Sequence, residues 1–256
     1  MTGGSVLLRK ELLESWRTLR LPIVAGLFLL VGLSSPLLAK FLPEIIEAAA
    51  GDQLPSIPIP TPVAADAADQ VWKNLAQFGA IAAIVLAMGA VSAERDRGTA
   101  AFILSKTVSR SAFLGAKVIA IAAVLGAGVV LAVAVGWIYT AILFEPQPVA
   151  GWIAFGFLAW IGLAAWAALT FAGSTVTGST AAAAGIGFVA LLVLSIGAAI
   201  PTVGRYLPGG LAGPAVSLAS GSPVEPGDIV APVVGTLVII VVALAVSVWS
   251  FRRQEL

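Results

Sequence analysis

The densest chemistry in the sequence lies in residues 94–110, ERDRGTAAFILSKTVSR, which hold six of the chain's 27 charged side chains between long runs that hold none. Glu94, Arg95, Asp96 and Arg97 come first, Gly98 and Thr99 make a break, and Lys106, Ser109 and Arg110 close the stretch. Acids and bases interleaved in this way suit ion pairing and hydrogen bonding to another surface. The Thr99 hydroxyl is placed to cap a following helix with an apolar body, Ala100 to Leu104. A short helix with an apolar middle and charged shoulders suits docking into a groove on a soluble partner. A basic loop that only anchors topology is the simpler alternative. Catalysis is not on offer. The chain has no histidine and no cysteine, which excludes imidazole bases, thiol chemistry, disulfides and Cys/His metal sites. It has no GxxxxGK[ST] phosphate loop either.

The elements that must position this stretch are membrane spans. The 256 residues are 59% hydrophobic and 11% charged, with a mean hydropathy of +1.04. A soluble domain carries about 25% charged residues, so this chain cannot cover a soluble globule with polar surface. Six apolar segments stand out, at 21–38, 75–92, 114–140, 149–171, 180–200 and 229–250. At about 1.5 Å per residue each is long enough to cross roughly 30 Å of hydrocarbon as a helix. The runs are apolar on every face, which argues against a barrel. The expected fold is an all-α integral membrane protein with six transmembrane helices in a single domain, 1–256. No acid or base lies inside a span away from its ends. Ion-coupled carriers usually need such a group, which counts against a solitary secondary carrier or channel. The net charge of +1 gives no case for nucleic acid.

Charge orients the stack. With six spans, one side holds eleven bases (Arg9, Lys10, Arg17, Arg20, Arg95, Arg97, Lys106, Arg110, Lys117, Arg252, Arg253) and the other only Lys40, Lys73 and Arg205. The positive-inside rule then puts both termini in the cytoplasm of a cell (plasma or inner) membrane. Residues 1–20 do not read as a cleaved signal peptide, so the first span is expected to be retained. In them Val6, Leu7, Leu12, Leu13 and Trp16 alternate with Arg9, Lys10, Glu11, Glu14 and Arg17, a pattern for an amphipathic helix at the interface. An outer loop is expected at 39–71, opening with a short surface helix at KFLPEIIEAAAG and proline-rich after it. A second, Gly- and Pro-rich one at 201–228 is read as a surface loop, with a segment dipping back into the membrane or capping the helices as the alternatives. Gly126, Gly128, Gly185, Gly187 and Gly197 permit close helix packing, within one subunit or at a homodimer seam. Trp137, Tyr139, Trp152 and Trp249 are expected at the interfaces. Trp160 and Trp166 lie deeper, as packing residues or as walls of a cavity. Thr175, Thr177, Ser179 and Thr180 read as a turn, or as polar lining near the inner end.

On these residues the sequence resembles the membrane subunit of an ABC-2 type transporter. The resemblance rests on Glu94, Arg95, Gly98, Thr99, Ile103, Leu104, Ser105, Thr107, Val108, Ser109 and Arg110, with Lys117 opening the third span. Where many members have proline before Val-Ser-Arg, this chain has Thr107. An N-terminal Lys10-Glu11 and a terminal Phe251-Arg252-Arg253 are also family-like. The resemblance implies a type V ABC exporter-like fold with an N-terminal interfacial helix. It also implies a homodimer with two copies of a cytosolic ABC ATPase, lipid contact, and room for an extracytoplasmic accessory protein. ATP and magnesium would be bound by the ATPase subunit, and no cofactor or metal by this chain. Lys10, Glu11, Glu94, Arg95, Arg97, Gly98, Thr99, Lys106, Ser109 and Arg110 are the residues that would dock the ATPase, with 94–110 as the coupling region. The function implied is a permease that exports or flips a substrate the resemblance does not identify; the uncharged spans lean slightly toward an amphiphile. A scaffold that only anchors an ATPase is the rival of the same topology.

Overall fold

The computed structural model describes residues 3–50, 60–98 and 109–253. These are helical and contain no strands, and six helices are long and apolar enough to cross a membrane. Helix α1 (Gly3–Arg17) precedes α2 (Arg20–Ala50). The second span combines α3 (Ala64–Asn74), a π turn at Leu75–Gly79, α4 (Ala80–Met88) and a final short turn of helix, α5 (Ser92–Asp96). Next come α6 (Arg110–Leu143), α7 (Val149–Val176) and α8 (Thr180–Ala198). Then α9 (Pro201–Gly204), a 3-10 turn at Pro208–Leu211 and α10 (Ala212–Ala219) lead into α11 (Pro226–Arg253).

The helices outrun the apolar segments from which they were expected. Helix α2 continues unbroken through residues 39–50, where a separate short surface helix was expected to open the outer loop, despite Pro36 and Pro43 inside it. Each proline removes one backbone donor, which a helix packed in a membrane tolerates. At 31 residues α2 is about 46 Å long, so its Glu44 and Glu47 stand beyond the hydrocarbon. Helix α3 likewise begins at Ala64, where Asp66 accepts from the Val63 amide at 2.8 Å and closes the helix start. The proline-rich segment 51–59 lies outside the described residues.

Helices α2 and α6 cross most closely where Gly32 meets Ala132: a Cβ on Gly32 would lie 2.6 Å from the Ala132 carbonyl oxygen. Close backbone approach through small residues is the usual way helices gain contact in lipid, where no hydrophobic force separates lipid from side chain. Farther along, Gly128 gives room to the Phe28 ring. The core contains Phe28, Trp152, Phe155 and Phe171, with Trp72 edge-on to Phe155 at 5.5 Å. Trp152, expected at an interface, is only 1% exposed, because it fills the space that Gly136 leaves on α6.

The segment 201–228 is not a surface loop. Leu211, Ala215 and Ala219 recur at helical spacing, are fully buried, and pack against α7. Pro208 and Pro214 help start the helical turns, where a missing amide donor costs nothing. The result is a folded cap at the end of the bundle opposite α1.

Candidate functional site

The site is built at the α1 end. Helix α4 stops at Gly89, and the chain restarts one turn later as α5. Val91, the residue before α5, has no side chain that could cap it. Ser174 of α7 does so instead: its Oγ accepts from the amides of Val91 and Ser92, each at 3.1 Å. The Ser92 hydroxyl in turn lies 3.1 Å from that of Thr180, at the start of α8. Thr177 donates to the Gly173 carbonyl, and Ser179 caps α8 by accepting from Ala182. So Ser174 and Thr180 anchor α5 to α7 and α8, while Thr177 and Ser179 shape the turn between those helices. Gly98, at φ +69°, ends α5 in a conformation that L side chains rarely adopt.

This anchored turn presents Glu94 to two lysines. Glu94 Oε1 accepts from Lys10 Nζ of α1 at 3.0 Å and from Lys117 Nζ of α6 at 2.8 Å. Glu11 Oε1 accepts from the same two ammonium groups, at 3.0 Å from Lys10 and 3.1 Å from Lys117. Lys10 also meets Glu14 at 2.9 Å. Lys117 is 4% exposed, and the Glu11 and Glu94 side chains 11% and 14%. Burial of this kind is tolerable for charges only because each one is paired. On α1, burial opposes the charge of Lys10, but hydrogen bonds to Glu14, Glu11 and Glu94 outweigh it and hold the ammonium above its usual range. Burial likewise opposes ionisation of Glu14, but its bond to Lys10 prevails and holds the carboxyl below its usual range. The three carboxylates converge within 4.8 Å. A metal could use that spacing, but Lys10 already bonds to all three.

One face of α6 serves the whole junction. Arg110 donates to the carbonyls of Phe251 and Arg252 at 3.1 and 2.9 Å, tying down the end of α11. Phe113 stacks on Phe251 with centroids 5.7 Å apart, and Lys117 Nζ sits 5.1 Å from the Phe113 ring centre.

Of the residues singled out from sequence, Lys10, Glu11 and Glu94 meet directly. Arg97 is exposed and lines a pocket with Glu11, Glu14, Glu94 and Lys117. Arg95 has a buried Nη1 with no hydrogen-bond partner among the described residues. Ser109 caps α6 by accepting from Ala112 at 3.1 Å. Arg110 points toward α11 instead of toward the cluster. Thr99, Lys106 and the apolar body 100–104 lie outside the described residues. Sequence reasoning missed Lys117 and Glu14 as site members. The signals were present: Glu14 is four residues after Lys10, and Arg110, Phe113 and Lys117 share one helical face.

The spans also form apolar hollows that open to the helix surface. Trp160 of α7 donates to the Ala122 carbonyl at 2.9 Å and forms a shared wall between two apolar cavities of about 240 and 490 Å³. Trp166 lines a smaller one of about 110 Å³ with Trp72 and Ser195.

A profile of the family described as ABC-2 family transporter protein matches residues 5–256. The chain is also 30% identical over 257 residues to a Bacillus subtilis (strain 168) protein described as "Uncharacterized transmembrane protein YxlG", with 97% of each chain covered.

Proposed function

The chain belongs to the ABC-2 transporter family, and on that premise we propose that this membrane permease subunit is driven by a separate ATPase docked at the α1 end. One observation carries the proposal: Lys10 and Glu11 of α1 meet Glu94 of α5 and Lys117 of α6 in a single cluster. That cluster holds Glu94, the first residue of the charged stretch 94–110. A partner that pulls on the stretch moves α5, and α5 is bonded to α1 and α6 through carboxylates and to α7 and α8 through hydroxyls. ATP binding and hydrolysis favour different ATPase conformations, and the membrane helices respond only if their contacts discriminate between those conformations.

In this reading the α1 end, which gathers the eleven bases, is cytosolic. ATP and magnesium stay on two ATPase copies. The permease pairs with a second copy of itself, which is consistent with how little of α8 and α11 is buried within one chain, 11% and 17% of their apolar windows. The substrate is an amphiphile, and the apolar cavities beside Trp160 suit its tail.

The test is Arg97→Glu, an exposed residue outside the ion-pair network. In the reconstituted complex it should abolish stimulation of the ATPase by the permease while the permease still assembles in detergent. Normal stimulated turnover would overturn the docking assignment. Transport by liposomes that contain no ATPase would favour a solitary carrier. A complex whose ATPase never responds to the permease would favour a scaffold.

A further inference from the structure

Helix α1 is amphipathic with its polar side turned inward. Glu11 and Ser15 are buried, and Lys10 and Glu14 turn toward the ion-pair cluster. The exposed side carries Val6, Leu12, Leu13 and Trp16, exposed by 52, 38, 47 and 62%. At about 100° per residue these four fall in one arc of roughly 120°, with Arg9 in the middle and Arg17 on its flank. We propose that this outward face of α1 binds anionic phospholipid at the headgroup level.

Two observations choose this occupant. The first is position. Only Thr18 and Leu19 separate α1 from the span that starts at Arg20. Leu19 holds φ +60°, which is unfavourable for a branched side chain and marks a fixed corner instead of a slack tether. The exposed leucines and Trp16 therefore cannot leave the layer where hydrocarbon meets headgroups, the layer where tryptophan is at home. The second is charge. Both acids of α1, Glu11 and Glu14, are engaged by Lys10 or Lys117. Arg9, Arg17 and Arg20 are exposed, and none of them forms an ion pair among the described residues. The face that looks outward is apolar with a purely positive overlay. Basic side chains near an anionic bilayer surface are each worth about 1 kcal/mol there, and arginine presents a fork that matches a phosphate. A soluble protein could also cover leucines and a tryptophan, but it would have to reach into the headgroup layer. The inference needs only the membrane, and it stands if the ATPase reading fails.

The chain has no cysteine, so a single cysteine at position 12, Leu12→Cys, can carry a fluorophore uniquely. The labelled full chain is placed in phosphatidylcholine vesicles doped with brominated phosphatidylglycerol or brominated phosphatidylcholine, and quenching is compared. The expected result is a preference for the anionic lipid of about tenfold. It should collapse at about 0.5 M salt, where the screening length is a few ångströms. The double variant Arg9→Gln, Arg17→Gln should bring the ratio near one while both lipids still quench, because the leucines and Trp16 remain. Equal quenching in the unmodified chain would overturn the proposal, as would a preference that survives the double variant or the salt. A probe reached by neither lipid would assign the face to a protein surface and also overturn it. The salt arm uses the native arginines, so the proposal stays testable if the variant folds poorly.

Discussion

Removing Lys117 or removing Glu94 breaks two lysine–carboxylate bonds of the cluster in either case, but the two should not cost the same. Glu94 accepts from two lysines, and Lys117 donates to two glutamates. By counting bonds, Lys117→Met and Glu94→Gln are equivalent; by counting charge they are not. Two ammonium groups face three carboxylates, and Glu14 is the most exposed of the three, at 34%. Glu94→Gln leaves Glu11 with Lys117 and Glu14 with Lys10, one partner each. The glutamine oxygen can still accept, so the loss should be about 1 kcal/mol. Lys117→Met leaves Glu11 and Glu94, both nearly buried, to share Lys10, which is itself half exposed and already bonded to Glu14. Stranding a buried charge costs about 3–5 kcal/mol. With Lys10 still present, about 2–3 kcal/mol is expected. The assay is tryptic cleavage after Arg17, which reports the population in which α1 has left the bundle. At 1.4 kcal/mol per tenfold, cleavage should rise about fivefold in Glu94→Gln and about 30- to 100-fold in Lys117→Met. Adding Glu94→Gln to Lys117→Met should recover most of the loss, because it removes the stranded carboxylate. Equal effects of the two single variants, or a double variant as loose as the sum of both, would refute the charge argument.

Three further outcomes follow from the same geometry. Ser174→Ala removes the acceptor shared by the Val91 and Ser92 amides, at a cost of about 1–3 kcal/mol. Hydrogen exchange at those two amides should accelerate by about tenfold or more, and unchanged exchange would show that α5 is held otherwise. Gly32→Ala should lower the thermal midpoint although alanine is the better helix former by about 1 kcal/mol. Its Cβ would lie 2.6 Å from the Ala132 carbonyl oxygen, and overpacking costs about 1–3 kcal/mol. The docking of α1 should be flat with pH across the neutral range. Glu14, with its folded pKa depressed, contributes above its ordinary value of about 4.3 and is lost as pH falls through the lower folded one. Lys10, with its folded pKa raised, contributes below about 10.4 and is lost as pH rises through the higher folded one. A fluorophore on α1 should therefore report loosening only in strong acid or strong base, and a transition near pH 7 would contradict the assignment.

The six spans were legible because nothing but helices can satisfy the backbone of long apolar runs in lipid. Their ends were not. Residues 64–74 carry the polar residues of a loop, yet they form a helix whose face packs on its neighbours, as Ala67, Ala68, Val71 and Trp72 do, while residues 39–50, read as a short surface helix, extend α2 with most of their side chains exposed. The folded cap at 201–219 ranked behind a surface loop for a related reason: its glycines and prolines read as turn chemistry. Leu211, Ala215 and Ala219 were the only hint of a buried face. The site was legible as separate signatures, Lys10-Glu11 and Glu94, but their meeting was not, since 84 residues separate Lys10 from Glu94. Lys117 was visible only as a base at the start of a span. Its role comes from lying two helical turns along α6 from Arg110, in a direction that only the packed bundle reveals.

A single short helix thus connects to four longer ones. Five residues, Ser92 to Asp96, are bonded to α7 by Ser174, to α8 by Thr180, to α6 by Lys117 and to α1 by Lys10. The two sides of that helix differ in kind. Its start is held by neutral hydrogen bonds of about 1 kcal/mol each, which fail quickly with distance and angle. Its middle is held by shared ion pairs, and a Coulomb attraction falls only as the inverse of distance. A pull on the chain after Gly98 should therefore break the serine and threonine contacts first, while Glu94 stays with its lysines. The turn would then pivot on the ion-pair cluster, and α1 and α6 would move with it as α7 and α8 are released. Exchange at the Val91 and Ser92 amides that rises before α1 becomes open to trypsin, as denaturant is added, would show this order. If α1 opened first, the carboxylate–lysine cluster would be the weak side of α5 and the pivot would lie at Ser174.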